Sequence, residues 1–174
     1  MSGVLGSDIP AIVAPPDGRL VHVLTGEYGL GVHPDVLVTL ALGSCVGVAL
    51  WDASRRRGAL AHVMLPSPTA HEPGGHLTRF ASHAIPAMAA ALGGTGSVSP
   101  LVAKVVGGAA MFSGDTLHAG IGERNVTEVR RQLALLCIPI VAEDTGGSCA
   151  RTAAFHLDTG MLMVRGYACG KREL

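Results

Sequence analysis

"LGSCVGVALWDASRRRGALAHVMLP", residues 42–66, decides the fold. Two runs in it, "VGVALW" (Val46 to Trp51) and "ALAHVML" (Ala59 to Leu65), are apolar and of strand length. Between them "DASRRRG" gathers polar and charged residues and closes on a glycine, the composition of a hairpin tip. An antiparallel pair follows. Such a pair brings the end of the second strand beside the start of the first. That arrangement allows Cys45, just ahead of the first strand, to meet His62, near the end of the second.

Outward from this hairpin the same pattern repeats. "LVHVL" (Leu20 to Leu24), "VLVTLAL" (Val36 to Leu42) and "LVAKVV" (Leu101 to Val106) read as strands, as do "PIVAED" (Pro139 to Asp144), "TAAFHL" (Thr152 to Leu157) and "MLMVRGY" (Met161 to Tyr167). "DTG" at Asp158 to Gly160 is a second hairpin tip. Two segments carry helical spacing. Leu77, Phe80, Ala81, Ala84, Met88 and Ala89 share one face, with Pro86 inside the segment as a source of imperfection. Val126, Val129, Leu133, Leu136 and Cys137 share another, with Asn125 placed to cap the start and Glu128 three residues on. Strand runs broken by two helices predict a layered α/β (α+β) domain.

The chain has 174 residues, enough for a single domain but too few for two well-stabilised ones. Residues 1–19 read as a flexible leader, 20–168 as the domain and 169–174 as a short tail. The leader lacks a basic n-region and carries Asp8, Pro10 and Pro15, unlike a signal peptide. A formal net charge of +0 argues against a nucleic-acid binder, which needs a basic surface to neutralise phosphates. No apolar window is long enough to insert in a membrane. The four cysteines, Cys45, Cys137, Cys149 and Cys169, form no CxxC pair. They are expected to be free thiols in a reducing cytoplasm.

The cysteine that begins "CVGVALW" follows Gly43 and Ser44 at a sharp junction between strands. Such a junction lifts a thiol out of the sheet and bares neighbouring N–H groups, the exposure and donors a nucleophile requires. The default for any one cysteine is nonetheless a packed core thiol. His62 shares a strand face with Leu60 and Met64, which by itself suits a satisfied core histidine. Paired with Cys45 it is the base of a thiol nucleophile. Thr39 is by default an ordinary β-branched strand residue; its functional role would be to accept the His62 ring N–H. "HEPGGH" (His71 to His76) has the second histidine one position late for a zinc-protease helix, and Pro73 and two glycines forbid that helix. No metal or organic cofactor is expected. "VVGGAAMF" (Val105 to Phe112) lacks the dinucleotide fingerprint, and Gly107 and Gly108 are read as a close backbone approach beside the site. Arg55, Arg56 and Arg57 read as a solvated hairpin tip.

"LVTLALGSCVGVALWD", "GALAHVMLP", "KVVGGAAMF", "IGERNV", "IVAEDTGGSCAR" and "LDTGMLMVRG" together resemble the CheD family of chemoreceptor glutamine deamidases. The resemblance runs in order from about Glu27 to Gly166. It implies a layered α/β/β sandwich, with Cys45 as nucleophile, His62 as base and Thr39 orienting the histidine. It further implies chemoreceptor cytoplasmic helices as substrate and, in some members, a complex with a CheC-type phosphatase. From the residue types, N–H groups near Ser44 and Cys45 are the oxyanion donors. Gly107, Gly108 and the segment Glu123 to Asn125 are the candidates for the substrate surface. Two other classes compete with the deamidase: a binding module in which Cys45 is merely structural, and a thiol hydrolase or transglutaminase with an unrelated substrate.

Overall fold

The computed structural model describes residues 12–69, 75–93, 101–111 and 120–174. In chain order the elements are β1 (Leu20–His22), β2 (Tyr28–Val32), β3 (Val36–Leu42), β4 (Val46–Asp52), β5 (Arg57–Val63), a 3-10 turn (Leu77–Arg79) and α1 (Ala81–Ala91). They continue with β6 (Leu101–Gly107), α2 (Ile121–Leu135), β7 (Ile140–Thr145), β8 (Arg151–His156), β9 (Met161–Gly166) and β10 (Gly170–Glu173). Two five-stranded sheets result, one in the order β1-β3-β8-β9-β10 and the other β2-β5-β4-β6-β7.

The expected hairpin is the centre of the second sheet. β4 and β5 pair antiparallel from Val46↔Val63 to Asp52↔Arg57, and β6 pairs with the other edge of β4. Every residue of β4 is buried. Its Val46, Val48 and Leu50 pack with α1 and α2, while Ala49 and Trp51 pack with Leu37, Leu42, Phe155 and Leu162 of the first sheet. A strand covered on both faces must be apolar throughout, which is why "VGVALW" does not alternate. The architecture is thus helices on sheet on sheet, the α/β/β sandwich expected.

The hairpin tip is braced, not merely solvated. Asp52 is fully buried and accepts bonds from Ser54 Oγ at 2.6 Å, Arg55 N at 3.1 Å, an Arg55 guanidinium nitrogen at 3.1 Å and Arg57 Nε at 3.3 Å. Arg57 also reaches the Leu92 carbonyl beyond α1, and Arg56 the Asp158 carbonyl at the other hairpin tip.

Several expectations need correcting. β2, "YGLGV", and β10, "GKRE", were not anticipated; the last four strand residues occupy part of the stretch read as a tail. α2 begins at Ile121 with Gly120 as its left-handed cap, so Asn125 lies within the helix and caps nothing. Cys137 is not on the helix face. α2 ends at Leu135, Cys137 adopts a positive φ of 54°, and its side chain is exposed. Cys149 and Cys169 are paired, their Cα atoms 6.4 Å apart, and only Cys45 and Cys137 are free thiols. The "HEPGGH" segment lies mostly outside the described residues.

Candidate active site

β3 supplies the first component. Leu37 points into the space between the sheets, and Thr39, two residues on, points the same way. Strict alternation would next bury Ala41. Instead the register with β8 shifts between Thr39↔Ala153 and Leu42↔Arg151, so three residues of β3 face two of β8. This is a β-bulge, with Ala41 at a φ of 57°. Leu40 and Ala41 turn outward and Leu42 is buried. The chain then bends through Gly43, Ser44 and Cys45 into β4.

β5 supplies the second component. Leu60 and His62 face the first sheet, while Ala59, Ala61 and Val63 face the helices. His62 is only 2% exposed. Its backbone is fixed on both sides, His62 N donating to the Glu27 carbonyl and the His62 carbonyl accepting from Gly26 N, each at 2.9 Å. Opposite His62 on β4 stands Gly47. Cys45 is two residues before Gly47 and packs among the side chains between the sheets, on the same side as His62. That places thiol and imidazole on a cross-strand diagonal. They are not hydrogen-bonded to one another in this structure.

Thr39 Oγ1 lies 2.9 Å from the Val23 carbonyl and 2.7 Å from His62 Nδ1. A hydroxyl has one proton, and a carbonyl can only accept, so that proton goes to Val23. Nδ1 must therefore carry the proton in its own contact with Thr39. Nε2 is left with a lone pair, the form of a general base. Burial pushes the His62 pKa down and the Cys45 thiol up. Both shifts favour a neutral thiol beside a neutral imidazole over a standing thiolate–imidazolium pair.

The bend at residues 43–45 is held by its carbonyls. Gly43 accepts from Ala109 N and Cys45 from Gly108 N, both at 2.8 Å, and Ser44 accepts from Asn125 Nδ2 at 2.9 Å. Among the described residues, the N–H groups of Ser44 and Cys45 have no acceptor. Gly107, at a φ of 106°, has no room for a side chain, because a Cβ there would meet the Cys45 carbonyl. The close approach expected of the two glycines is therefore real, and it supports the bend from beneath.

A cleft of about 390 Å³ adjoins the bend, walled by Ser44, Gly108, Ala109, Met111, Gly122 and Glu123 among others. Cys45 and His62 are not among its walls. Of the substrate-surface candidates, Gly108 and Glu123 border this cleft, while Gly107 is buried against the Cys45 carbonyl. Asn125 is completely buried and offers no surface at all. Its side chain instead bonds to Ser44 and Met64, a role that composition and spacing did not reveal. Among the described residues, no three His, Cys, Asp or Glu side chains cluster to hold a metal ion. No helix among them is long and apolar enough to cross a membrane.

Comparison with known proteins agrees with the resemblance read from the sequence. The family model described as "CheD chemotactic sensory transduction" matches residues 64–166. The "Probable chemoreceptor glutamine deamidase CheD" of Moorella thermoacetica is 43% identical over 159 residues, covering 89% of this chain and 93% of that protein. The "Probable chemoreceptor glutamine deamidase CheD 2" of Geobacter metallireducens is 44% identical over 151 residues, 84% of this chain and 93% of that one. The corresponding Clostridium novyi protein is 36% identical over 157 residues, 88% and 97% of the two chains. The family model starts after His62. The Moorella match, however, leaves only about 19 of the 174 residues outside it, so wherever it is placed it spans residues 39 to 62.

Proposed function

The chain belongs to the CheD family, and from that premise we propose that it hydrolyses the side-chain amides of glutamines in the cytoplasmic helices of chemoreceptors, with Cys45 as nucleophile. The observation that carries the reading is the pair of Thr39 contacts, to the Val23 carbonyl and to His62 Nδ1, from which the position of the His62 proton follows. Thr39 holds it on Nδ1 and leaves Nε2 free, on the sheet face that also carries Cys45. A structural core histidine would pair its ring N–H as well; what an acyl-transfer base needs in addition is the unpaired second nitrogen on the face that carries a thiol.

The chemistry balances as follows. His62 Nε2 removes the thiol proton, and the Cys45 sulfur attacks the amide carbon. A C–S bond forms and the carbonyl electron pair moves to oxygen. The N–H groups of Cys45 and Ser44 are the donors for that oxyanion. As the intermediate collapses, the C–N bond breaks and the imidazolium gives its proton to the departing ammonia. Water, deprotonated by His62, then attacks the thioester. The C–S bond breaks, the thiol regains its proton, and glutamate remains. One water is consumed and one ammonia released, with no cofactor. The new carboxylate adds a negative charge to the receptor helix, which biases signalling electrostatically.

The reading places the protein in the cytoplasm, where those helices lie. It includes a CheC-type phosphatase as a second partner on the strength of the family resemblance alone, and co-elution of the two proteins tests that part.

The deciding experiment incubates the protein with receptor cytoplasmic fragments and maps amide-to-acid conversion by mass spectrometry. Conversion at defined glutamines, absent with Cys45→Ala, is expected. No conversion by the wild-type protein, or conversion that survives Cys45→Ala, overturns the reading. Comparable turnover of free glutamine would replace it with a general amidase.

A further inference from the structure

We propose that Asn125 is a positioning residue that aims the Cys45 N–H as an oxyanion donor and locks the nucleophile's bend to the end of the strand carrying His62. The inference deepens the acyl-transfer reading of Cys45 and rests on it.

Asn125 lies inside α2 and is completely buried. Its Nδ2 has two protons and uses both, on the Ser44 carbonyl and the Met64 carbonyl, each at 2.9 Å. Two carbonyl acceptors fix which end of the amide faces them, since only the NH2 end donates. The partners are 81 and 61 residues away in the chain. The β4–β5 ladder stops at Val46↔Val63. Ser44 and Met64 lie just beyond that last pair, one ahead of β4 and one after β5. Where the cross-strand bonds end, the amide of Asn125 takes their place.

The peptide unit gives this clamp its chemical meaning. The Ser44 carbonyl and the Cys45 N–H belong to one planar unit and, in the trans form, point in opposite directions. The only cis bond among the described residues is His33–Pro34. Gripping the Ser44 oxygen therefore sets the direction of the Cys45 N–H, which has no acceptor among the described residues. Ala109 N does the same for the Ser44 N–H through the Gly43 carbonyl. Of the three grips on this bend, only that of Asn125 comes from a side chain, so only it can be removed by substitution.

Stability alone does not account for the residue. Asn125 Oδ1 is buried and has no hydrogen-bond partner among the described residues. A half-satisfied amide in the interior is unfavourable. Reach is possible because α2 lies against the bend's support almost backbone to backbone: a Cβ on Gly108 would meet Val126, and one on Gly122 would meet the Gly108 carbonyl.

The test separates two reactions of the same thiol. Acetylation by p-nitrophenyl acetate passes through a tetrahedral oxyanion: a C–S bond forms and p-nitrophenolate leaves. Alkylation by iodoacetamide displaces iodide directly and forms no oxyanion. In a Cys137→Ser background Cys45 is the one free thiol, because Cys149 and Cys169 are paired. The acetylation-to-alkylation ratio should exceed that of an unstructured Gly-Ser-Cys-Val peptide by at least about tenfold. In Asn125→Ala and Asn125→Asp, assayed well below their melting transitions, the ratio should fall about tenfold or more. That is less than the 10²–10³ lost when an oxyanion donor is deleted outright. The alkylation rate should stay within about threefold. A wild-type ratio equal to the peptide's, or a parallel fall of both rates in the folded variants, overturns the proposal. Deamidation is a separate readout, in which kcat should fall while KM holds. A wild-type protein with the high ratio but no deamidation would reject the receptor reading and leave the role of Asn125 standing.

Discussion

Thr39 accepts the proton of His62 Nδ1 across 2.7 Å, because its own proton is already given to the Val23 carbonyl. The direction of this one bond decides which ring nitrogen can act as base. Thr39→Val, close in size, should keep the fold at some cost in stability, because it leaves both the ring N–H and the Val23 carbonyl unpaired. Losing one hydrogen bond costs about 0.5–1.5 kcal/mol, so kcat should drop roughly severalfold to tenfold. Thr39→Ser should keep most of the activity. Steady-state rates on a receptor fragment check this, and a Thr39→Val variant as inactive as Cys45→Ala would show that orientation is not its whole role.

Cys45→Ala and His62→Ala should each abolish turnover to a similar degree, since groups that act as a unit lose activity together. Cys45→Ala should melt close to the wild-type temperature, as Cys45 sits at a bend and is only partly buried. Parallel activity and thermal-denaturation measurements distinguish loss of chemistry from loss of fold.

The acid side of the activity profile depends on His62 being neutral. Burial lowers its pKa, so more acid is needed to protonate it. The acid limb of kcat/KM should therefore have its midpoint below that of a free imidazole, about 6.5. A midpoint above that value would show that burial does not hold His62 neutral.

Thiol labelling of the native protein should favour Cys137 over Cys45. Cys137 is exposed and should react first at neutral pH. Cys45, its thiol pKa raised by burial, should react slowly and keep accelerating at alkaline pH beyond an ordinary cysteine. Peptide mapping after timed alkylation gives both rates.

Asp52 predicts an acid weakness. Although its burial alone would raise its pKa, the bonds from Ser54, Arg55 and Arg57 bring it down to about 2. A folded pKa below the unfolded one means stability that is complete above about pH 5 and lost as pH falls toward 2. Asp52→Asn should melt lower than wild type at pH 7. It should also show a shallower decline of melting temperature between pH 5 and pH 3.

Most of the fold was legible because most strands are apolar runs closed by turn residues. The exceptions have physical causes. In β2, "YGLGV", two glycines interrupt the pattern, and Gly29 is glycine because a Cβ would meet Val23, a constraint visible only in three dimensions. β10 is an exposed edge strand of charged residues, the composition of a tail. Cys137 fits the helical period of Leu133, and period alone cannot say that the helix has already ended. Cys45 and His62 were legible as a candidate pair from the hairpin, but the role of Thr39 was legible mainly through family resemblance. The clamp of Asn125 was not legible at all, because it joins three segments that sequence order keeps far apart.

β4 is central in its sheet and covered on both faces, and Cys45 stands at its first residue's shoulder. Amides of such a strand exchange with solvent only when the whole domain opens. Deuterium should therefore enter the stretch from Val48 to Leu50 at the rate of global unfolding and no faster. On the proposed reading Cys45 would then hang from the slowest-opening part of the protein, and a substrate would meet it already in place instead of having to order it on arrival.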